Sequence, residues 1–283
     1  MNKRIYLPSA IVLIAILLSG CAFQMVAGSG KVVSETRNVG DFSQITLAGI
    51  GDVYVTQGAT TSVRIEAEDN LIQYFDTSVK GSTLTIGLKD QYMGISLQPT
   101  RPIKFYVTSP KVDALTLAGS GNFLAGDIQS TAFSASLLGS GDITTGSIQA
   151  SSVDIHLAGS GNVQLGAVTS DTLTANLAGS GNIQLASLKA TSLNGTIAGS
   201  GNFGLSGEVS DQHIEILGSG DYLAGGLNSQ TATIRQTGSG SSQLAVSETL
   251  DVTILGSGDV VYSGTPKVNT TIAGSGKVRQ SGD

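Results

Sequence analysis

Apolar residues occupy alternate positions in short runs along most of the chain, and the runs end at glycine. Leu115 and Leu117, Ile155 and Leu157, Ile214 and Ile216, and Val252 and Ile254 stand four and two positions before a Gly-Ser-Gly tripeptide. Thr116, His156, Glu215 and Thr253 stand between them. A period of two puts one set of side chains on a buried face and the other in solvent, the pattern of a half-buried strand. After the tripeptide a second run begins, with Phe123 and Ala125, Ile143 and Thr145, Val163 and Leu165, Ile183 and Leu185, and Phe203 and Leu205 at its inward positions. A third apolar point follows at Ile128, Ile148, Val168, Leu188, Val209 and Leu227.

The pattern repeats. Gly-Ser-Gly begins at Gly119, Gly139, Gly159, Gly179, Gly199, Gly218, Gly238, Gly256 and Gly274, with offsets of 20, 20, 20, 20, 19, 20, 18 and 18. Most copies continue with Asn or Asp: Asn122, Asp142, Asn162, Asn182, Asn202, Asp221 and Asp259. Gly49-Ile50-Gly51-Asp52 has the same shape. Units this short cannot bury an apolar face alone and must stack on their neighbours. No unit shows the i, i+3, i+4, i+7 spacing of a helix. A propeller blade needs about 40 residues, twice what each unit offers. The expectation is an all-β fold, a single-stranded parallel β-helix with rungs of about 20 residues, in which like residues align from rung to rung. Glycine at the corner then suggests a backbone with positive φ. Asn and Asp after it suit a turn.

Residues 31–110 alternate without the tripeptide, as in Asp52-Val53-Tyr54-Val55-Thr56, Ser62-Val63-Arg64-Ile65-Glu66 and Thr83-Leu84-Thr85-Ile86. Tyr74, Phe75, Phe105 and Tyr106 give this block an aromatic bulk that the repeats largely lack. It is expected to be an irregular β region capping the N-terminal end of the solenoid formed by 111–283, and continuous with it.

Lys3 and Arg4, the apolar run from Ile11 to Leu18 and the small residues after it have the order of a secretory signal. The run is too short to span a bilayer, which takes about 20 residues. Leu18-Ser19-Gly20-Cys21 resembles the lipobox of bacterial lipoprotein precursors. That resemblance implies a signal peptide at 1–20, a lipid such as palmitate on Cys21, and a short tether at 21–30. Cys21 is the only cysteine in the chain, so it has no intrachain disulfide partner. Several acyl chains hold a protein on a membrane far more firmly than one. Ala22 replaces the Asp that often retains lipoproteins at the inner membrane, which favours the outer membrane of a Gram-negative cell envelope.

Removing the signal leaves 263 residues. Of the whole chain, 38 residues are Gly and 13% are charged, with no Trp. The glycines follow no Gly-X-Y period, which excludes collagen. Lys3 and Arg4 contribute two positive charges to the formal net charge of −6, so the mature chain stands near −8. There is no basic cluster with interleaved aromatics, which argues against nucleic acid as a partner.

The turns and the block before them, with Arg37-Asn38-Val39-Gly40-Asp41-Phe42, Asp52-Val53-Tyr54-Val55 and Gly81-Ser82-Thr83-Leu84-Thr85-Ile86, resemble the bacterial family described as putative auto-transporter adhesin, head GIN domain. The resemblance runs from Lys31 to the C-terminus. It implies a β-helix like that of pectin lyases, no recognised catalytic residue and a role in adhesion. Ser241 and Lys277 depart from the Asn/Asp position, and the last rungs shorten.

Chemistry is sparse. His156 lies three residues before its tripeptide and His213 five before its own, which places them in different columns about three rungs apart and unsuited to share a metal. Ser120, Ser140 and their equivalents lack the Gly-X-Ser-X-Gly of a nucleophile elbow. The glycine turns have no Lys-Ser/Thr and no helix after them, so they are no phosphate loop. The Asn/Asp column reads as turn residues with stacked amides, and the sequence leaves Ca²⁺ binding there open. The column Thr116, Ser136, His156, Asn176, Thr196, Glu215, Arg235, Thr253, Thr271 is too interrupted for ice binding. No catalytic residue, metal site or cofactor is expected.

The leading reading is a non-enzymatic, surface-anchored lipoprotein, an adhesive or envelope interaction module held on the membrane by Cys21. Its ligand is a glycan or a protein, and its C-terminal end is a site for self-association. The alternative is a carbohydrate-active β-helix enzyme with an unrecognised site.

Overall fold

The computed structural model describes residues 25–282. The regular structure of the described residues is strand, apart from two single-turn 3₁₀ segments at Ile72–Tyr74 and Asp90–Tyr92. The expected parallel β-helix is what the chain forms. One rung runs along Ser152–Leu157, turns at Gly-Ser-Gly, continues through Val163 and Leu165 on a second side, and bends to a short third side at Val168 and Thr169. The next rung begins above Ser152, and the pairing is parallel and in register, Leu157 opposite Leu177 and Leu177 opposite Ile197.

Each inward position of the repeat becomes a column of like side chains. Leu117, Leu137, Leu157, Leu177, Ile197 and Ile216 stack in this way, and none is more than 1% exposed. Phe123, Ile143, Val163, Ile183, Phe203 and Tyr222 form the column on the second side. Volume is balanced between neighbours. A β-carbon on Gly195 would meet Ile214 Cδ1 at 2.8 Å and Phe203 Cε2 at 3.1 Å, so that glycine leaves room for the aromatic ring.

The corner glycines are explained differently from the sequence expectation. Of the nine tripeptides only one glycine, Gly238, has a positive φ (143°), and the others adopt backbone open to any residue. The reason is proximity. On the first glycine of each copy a β-carbon would collide with the carbonyl oxygen of the equivalent glycine one rung below, as Gly159 would with Gly139. The second glycine does the same, Gly161 against Gly141. Rungs stack about 4.8 Å apart. At a corner where Cα–Cβ vectors would point along the stack instead of out of it, no side chain fits. The relative at residues 49–52 differs, since Gly51 has φ 107°.

Shorter rungs lose residues on the third side. Pairing shifts there between Leu185 and Leu188 and again between Ala224 and Asn228, while the first side stays in register. Gly207 (φ 117°) and Gly264 (φ 98°) take up the irregularity.

The N-terminal block joins the stack out of sequence order. Gln44–Ala48 lies between Thr83–Leu88 and Ala114–Leu117, parallel to both. Asp52–Gln57 lies likewise between Lys104–Ser109 and Asn122–Ala125. The later segment thus forms the rung beneath the earlier one. Three strands then close this end in antiparallel fashion: Ser62–Glu68 on Lys104–Ser109, Val32–Arg37 on Ser62–Glu68, and Phe75–Lys80 on Thr83–Leu88. Phe75 and Phe105, both buried, pack edge to face at 5.6 Å and fill the core there.

Candidate functional site

Cys21, the one residue singled out from sequence as a lipid attachment point, lies outside the described residues, as does the segment 1–20. From Met25 onward the chain is held firmly. Met25–Ala27 pairs with Ser96–Gln98, Met25 opposite Ser96. Three consecutive residues, Glu68, Asp69 and Asn70, grip the next stretch. The Glu68 carboxylate is fully enclosed and accepts from the Gly30 N–H (2.6 Å), the Thr100 N–H (2.9 Å) and the Thr100 hydroxyl (2.5 Å). Asp69 accepts from the Ser29 hydroxyl (2.6 Å) and pairs with Lys31 at 3.2 Å. Asn70 donates to the Ala27 carbonyl (2.8 Å) and accepts from the Ser29 N–H (2.9 Å). The Thr100 hydroxyl bond above all, with the surrounding N–H donors, lowers the Glu68 carboxyl from its ordinary pKa.

The Asn/Asp column is a hydrogen-bonded ladder. Asp142 Oδ1 accepts from the Asn162 N–H (2.8 Å) and side-chain amide (3.1 Å). Asn162 Oδ1 does the same for Asn182 (3.2 and 3.0 Å), and Asn182 Oδ1 for Asn202 (3.1 and 3.2 Å). Each side-chain oxygen replaces the carbonyl that the turned backbone cannot offer to the rung above. Asn122 also donates to Asp52 (2.7 Å), so the ladder continues into the N-terminal block. Ser241 and Lys277 take part only as donors, through backbone N–H groups that bond Asp221 and Asp259 at 2.7 and 2.9 Å. No three His, Cys, Asp or Glu side chains converge among the described residues.

His156 and His213 sit in separate outward columns, as their spacing implies. His156 is in register with Ser136 and Asn176, and His213 with Asn194 and Thr233.

A broad recess lies at the third corner, where the chain turns from the third side to the first. Its floor residues are small: Ala150, Ser170, Ala190, Val209, Ser229, Val246 and Gly264. Across the C-terminal rungs this leaves an open groove of about 630 Å³, walled by Lys189, Glu208, Asn228, Gln230, Ser247 and Thr265. A second recess of about 330 Å³ follows the same corner toward the N-terminus, lined by Gln149, Ser151, Thr169, Ser170 and Asp171. Ser170 is only 9% exposed, and its hydroxyl finds no partner among the described residues.

The floor is braced from inside the solenoid. The Tyr222 hydroxyl donates to Gln212 Oε1 (2.6 Å), the Gln212 amide donates to Ser229 Oγ (2.7 Å), and Ser229 donates to the Ala245 carbonyl (3.0 Å). All three side chains are buried, and burial raises Tyr222 far above the usual phenol pKa. Sequence reasoning missed this chain because it expected apolar residues at inward positions. The signal was present, since Gln212 falls in the column of Leu173 and Leu193.

A further outward feature crosses the N-terminal block. Tyr54 and Tyr106 stack at 5.3 Å, and the Arg64 guanidinium lies 4.1 Å from the centre of the Tyr106 ring. Glu66 accepts from Arg64 and from the Tyr106 hydroxyl, and the Arg64 bond above all lowers its carboxyl pKa.

Comparison with known proteins agrees with this architecture. A crystal structure of a putative adhesin from Parabacteroides distasonis superposes with a TM-score of 0.68 at 24% identity, covering 91% of this chain and 100% of that one. A putative lipid binding protein from the same species gives 0.67 at 24%, covering 91% and 99%. A putative adhesin from Parabacteroides merdae gives 0.66 at 23%, covering 91% and 99%. No curated protein matches. The sequence itself matches one family over residues 41–167 and 165–266, and on that match the chain belongs to the family described as putative auto-transporter adhesin, head GIN domain.

Proposed function

We propose that this protein is a non-enzymatic interaction module of the cell envelope, anchored by lipid on Cys21, that holds an extended polar ligand along its third corner. The observation that carries the reading is the groove, which runs parallel to the solenoid axis across successive rungs. Its walls combine hydroxyls, amides, one cation at Lys189 and one anion at Glu208. Such a surface offers donors and acceptors at the rung spacing of about 4.8 Å, which suits a glycan chain laid along it. The buried Tyr222–Gln212–Ser229 chain keeps the floor from relaxing, so the groove is preorganised. The adhesin names of family and relatives fit this role, and the outer membrane fits the residue after Cys21. Self-association belongs to the same reading, through the edge strand Lys267–Ile272, which pairs on one side only among the described residues.

Glycan-array binding by the full mature protein tests it, compared with Asn228→Trp. Asn228 is exposed on the groove wall, so the bulky side chain fills the groove without entering the core. Binding that falls at least tenfold in the variant supports the reading. Binding to a glycan that Asn228→Trp leaves unchanged overturns it.

A further inference from the structure

We propose that the N-terminal end of the solenoid, at Met25 and Met93, rests on the bilayer surface. This rests on the reading of Cys21 as the lipidated residue.

Met25 and Met93 are 69% and 75% exposed, more than any other large apolar side chain among the described residues. Single exposed apolar residues are ordinary. Here, however, the fold brings two to one edge. Met25 opens the strand that pairs with Ser96–Gln98, and Met93 lies in the turn three residues before Ser96. Methionine is flexible and polarizable and adapts to an irregular apolar environment.

The length of the chain says what covers them. Met25 is four residues after Cys21. Four fully extended residues reach at most about 14 Å. A lipid on Cys21 therefore holds Met25 close to the headgroup layer however residues 22–24 run. Nothing beyond Met25 can be paid out as a longer leash. Gly28 donates to the Gln98 carbonyl at 2.9 Å, and Glu68, Asp69 and Asn70 hold Ala27, Ser29, Gly30 and Lys31. The lipid anchor is thus coupled to the body of the protein, not to a flexible stalk. The opposite end of the stack, eight tripeptide copies above the first, lies about 40 Å along the axis from it.

The test uses the full lipidated protein in phosphatidylcholine–phosphatidylglycerol vesicles. Met93→Cys and Ser275→Cys variants are each spin-labelled, and collision with oxygen and with a water-soluble nickel complex reports depth. Cys21 carries its lipid through sulfur and takes no label. The expected result is a label at 93 that favours oxygen at least threefold more than the label at 275, with intact lipid on Cys21 by mass spectrometry. Equal nickel accessibility at both positions in lipidated protein overturns the proposal alone. An unmodified Cys21 overturns the anchoring reading and the proposal with it. In a Glu68→Gln background the label at 93 is expected to move toward water, which separates a clasped contact from a chance apolar one.

Discussion

A β-carbon added to Gly161 would lie inside the contact distance of the Gly141 carbonyl oxygen, one rung below. Substitution there is a collision with backbone, which cannot swing aside. Gly161→Ala is therefore expected to lower stability by at least about 1–3 kcal/mol, the range for forced overpacking. Gly225 has nothing within 4 Å of the equivalent point and no positive φ. Gly225→Ala should stay within about 0.5 kcal/mol of the parent. Paired urea denaturation curves decide it, and equal losses at the two sites would contradict the stacking account.

The ladder predicts an asymmetry between two substitutions of Asn182. Its Oδ1 accepts the Asn202 N–H, so Asn182→Ala strands a backbone donor in the stack and should cost about 1–3 kcal/mol. Asn182→Asp keeps the acceptor and should cost less than half as much at pH 7. Thermal unfolding of the two variants side by side measures the difference.

Tyr222 should be silent in an alkaline titration. Its folded pKa is raised, so the folded state keeps the proton that the unfolded chain releases near pH 10. Stability is therefore lost as pH rises above about 10, and the phenolate absorbance of this residue should appear only with unfolding. Tyr222→Phe leaves Gln212 Oε1 without its donor and should cost about 1–3 kcal/mol. A smooth phenolate titration of Tyr222 in folded protein would show that the hydroxyl is accessible.

The clasp at Glu68 works in the opposite sense. Its folded pKa is lowered, so its contribution is present above the unfolded carboxylate range and fades as pH falls through and below about 4. Hydrogen exchange at residues 25–31 should rise in that window while Val163–Leu177 stays protected. Glu68→Gln should give the same local pattern at pH 7. Loss of protection spread evenly along the solenoid would exclude a local latch.

Much of this architecture could be read from residues such as Ile155 and Leu157, whose alternation and 20-residue recurrence determine both the inward face and the column. What the glycines do could not be read so directly. A turn with positive φ and a stack too tight for a β-carbon select the same residue, and only coordinates tell them apart. Pairing order was also hidden. Nothing in Thr83-Leu84-Thr85-Ile86 says that it lies beneath Gln44–Ala48, because alternation specifies a face and not a partner. No pattern in the sequence marks Glu68, Asp69 and Asn70, since the backbone groups that they hold lie 32 to 43 residues away along the chain. Gln212, Gln236 and Ser242 interrupt apolar columns, and a search for apolar period passes over them.

Those interruptions solve a difficulty that uniform rungs create. Copies alike enough to stack correctly are alike enough to stack one step out, with every leucine still against a leucine. Tyr222, Gln212 and Ser229 satisfy one another within one rung, and Gly195 leaves room for Ile214 of the rung above, a fit that a shift by one rung would lose. They act as index marks on an otherwise featureless scale. Excision of a whole generic unit, residues 144–163, should then leave a shorter protein that still assembles, whereas excision of residues 203–221 removes the mark that tells the remaining rungs where to close.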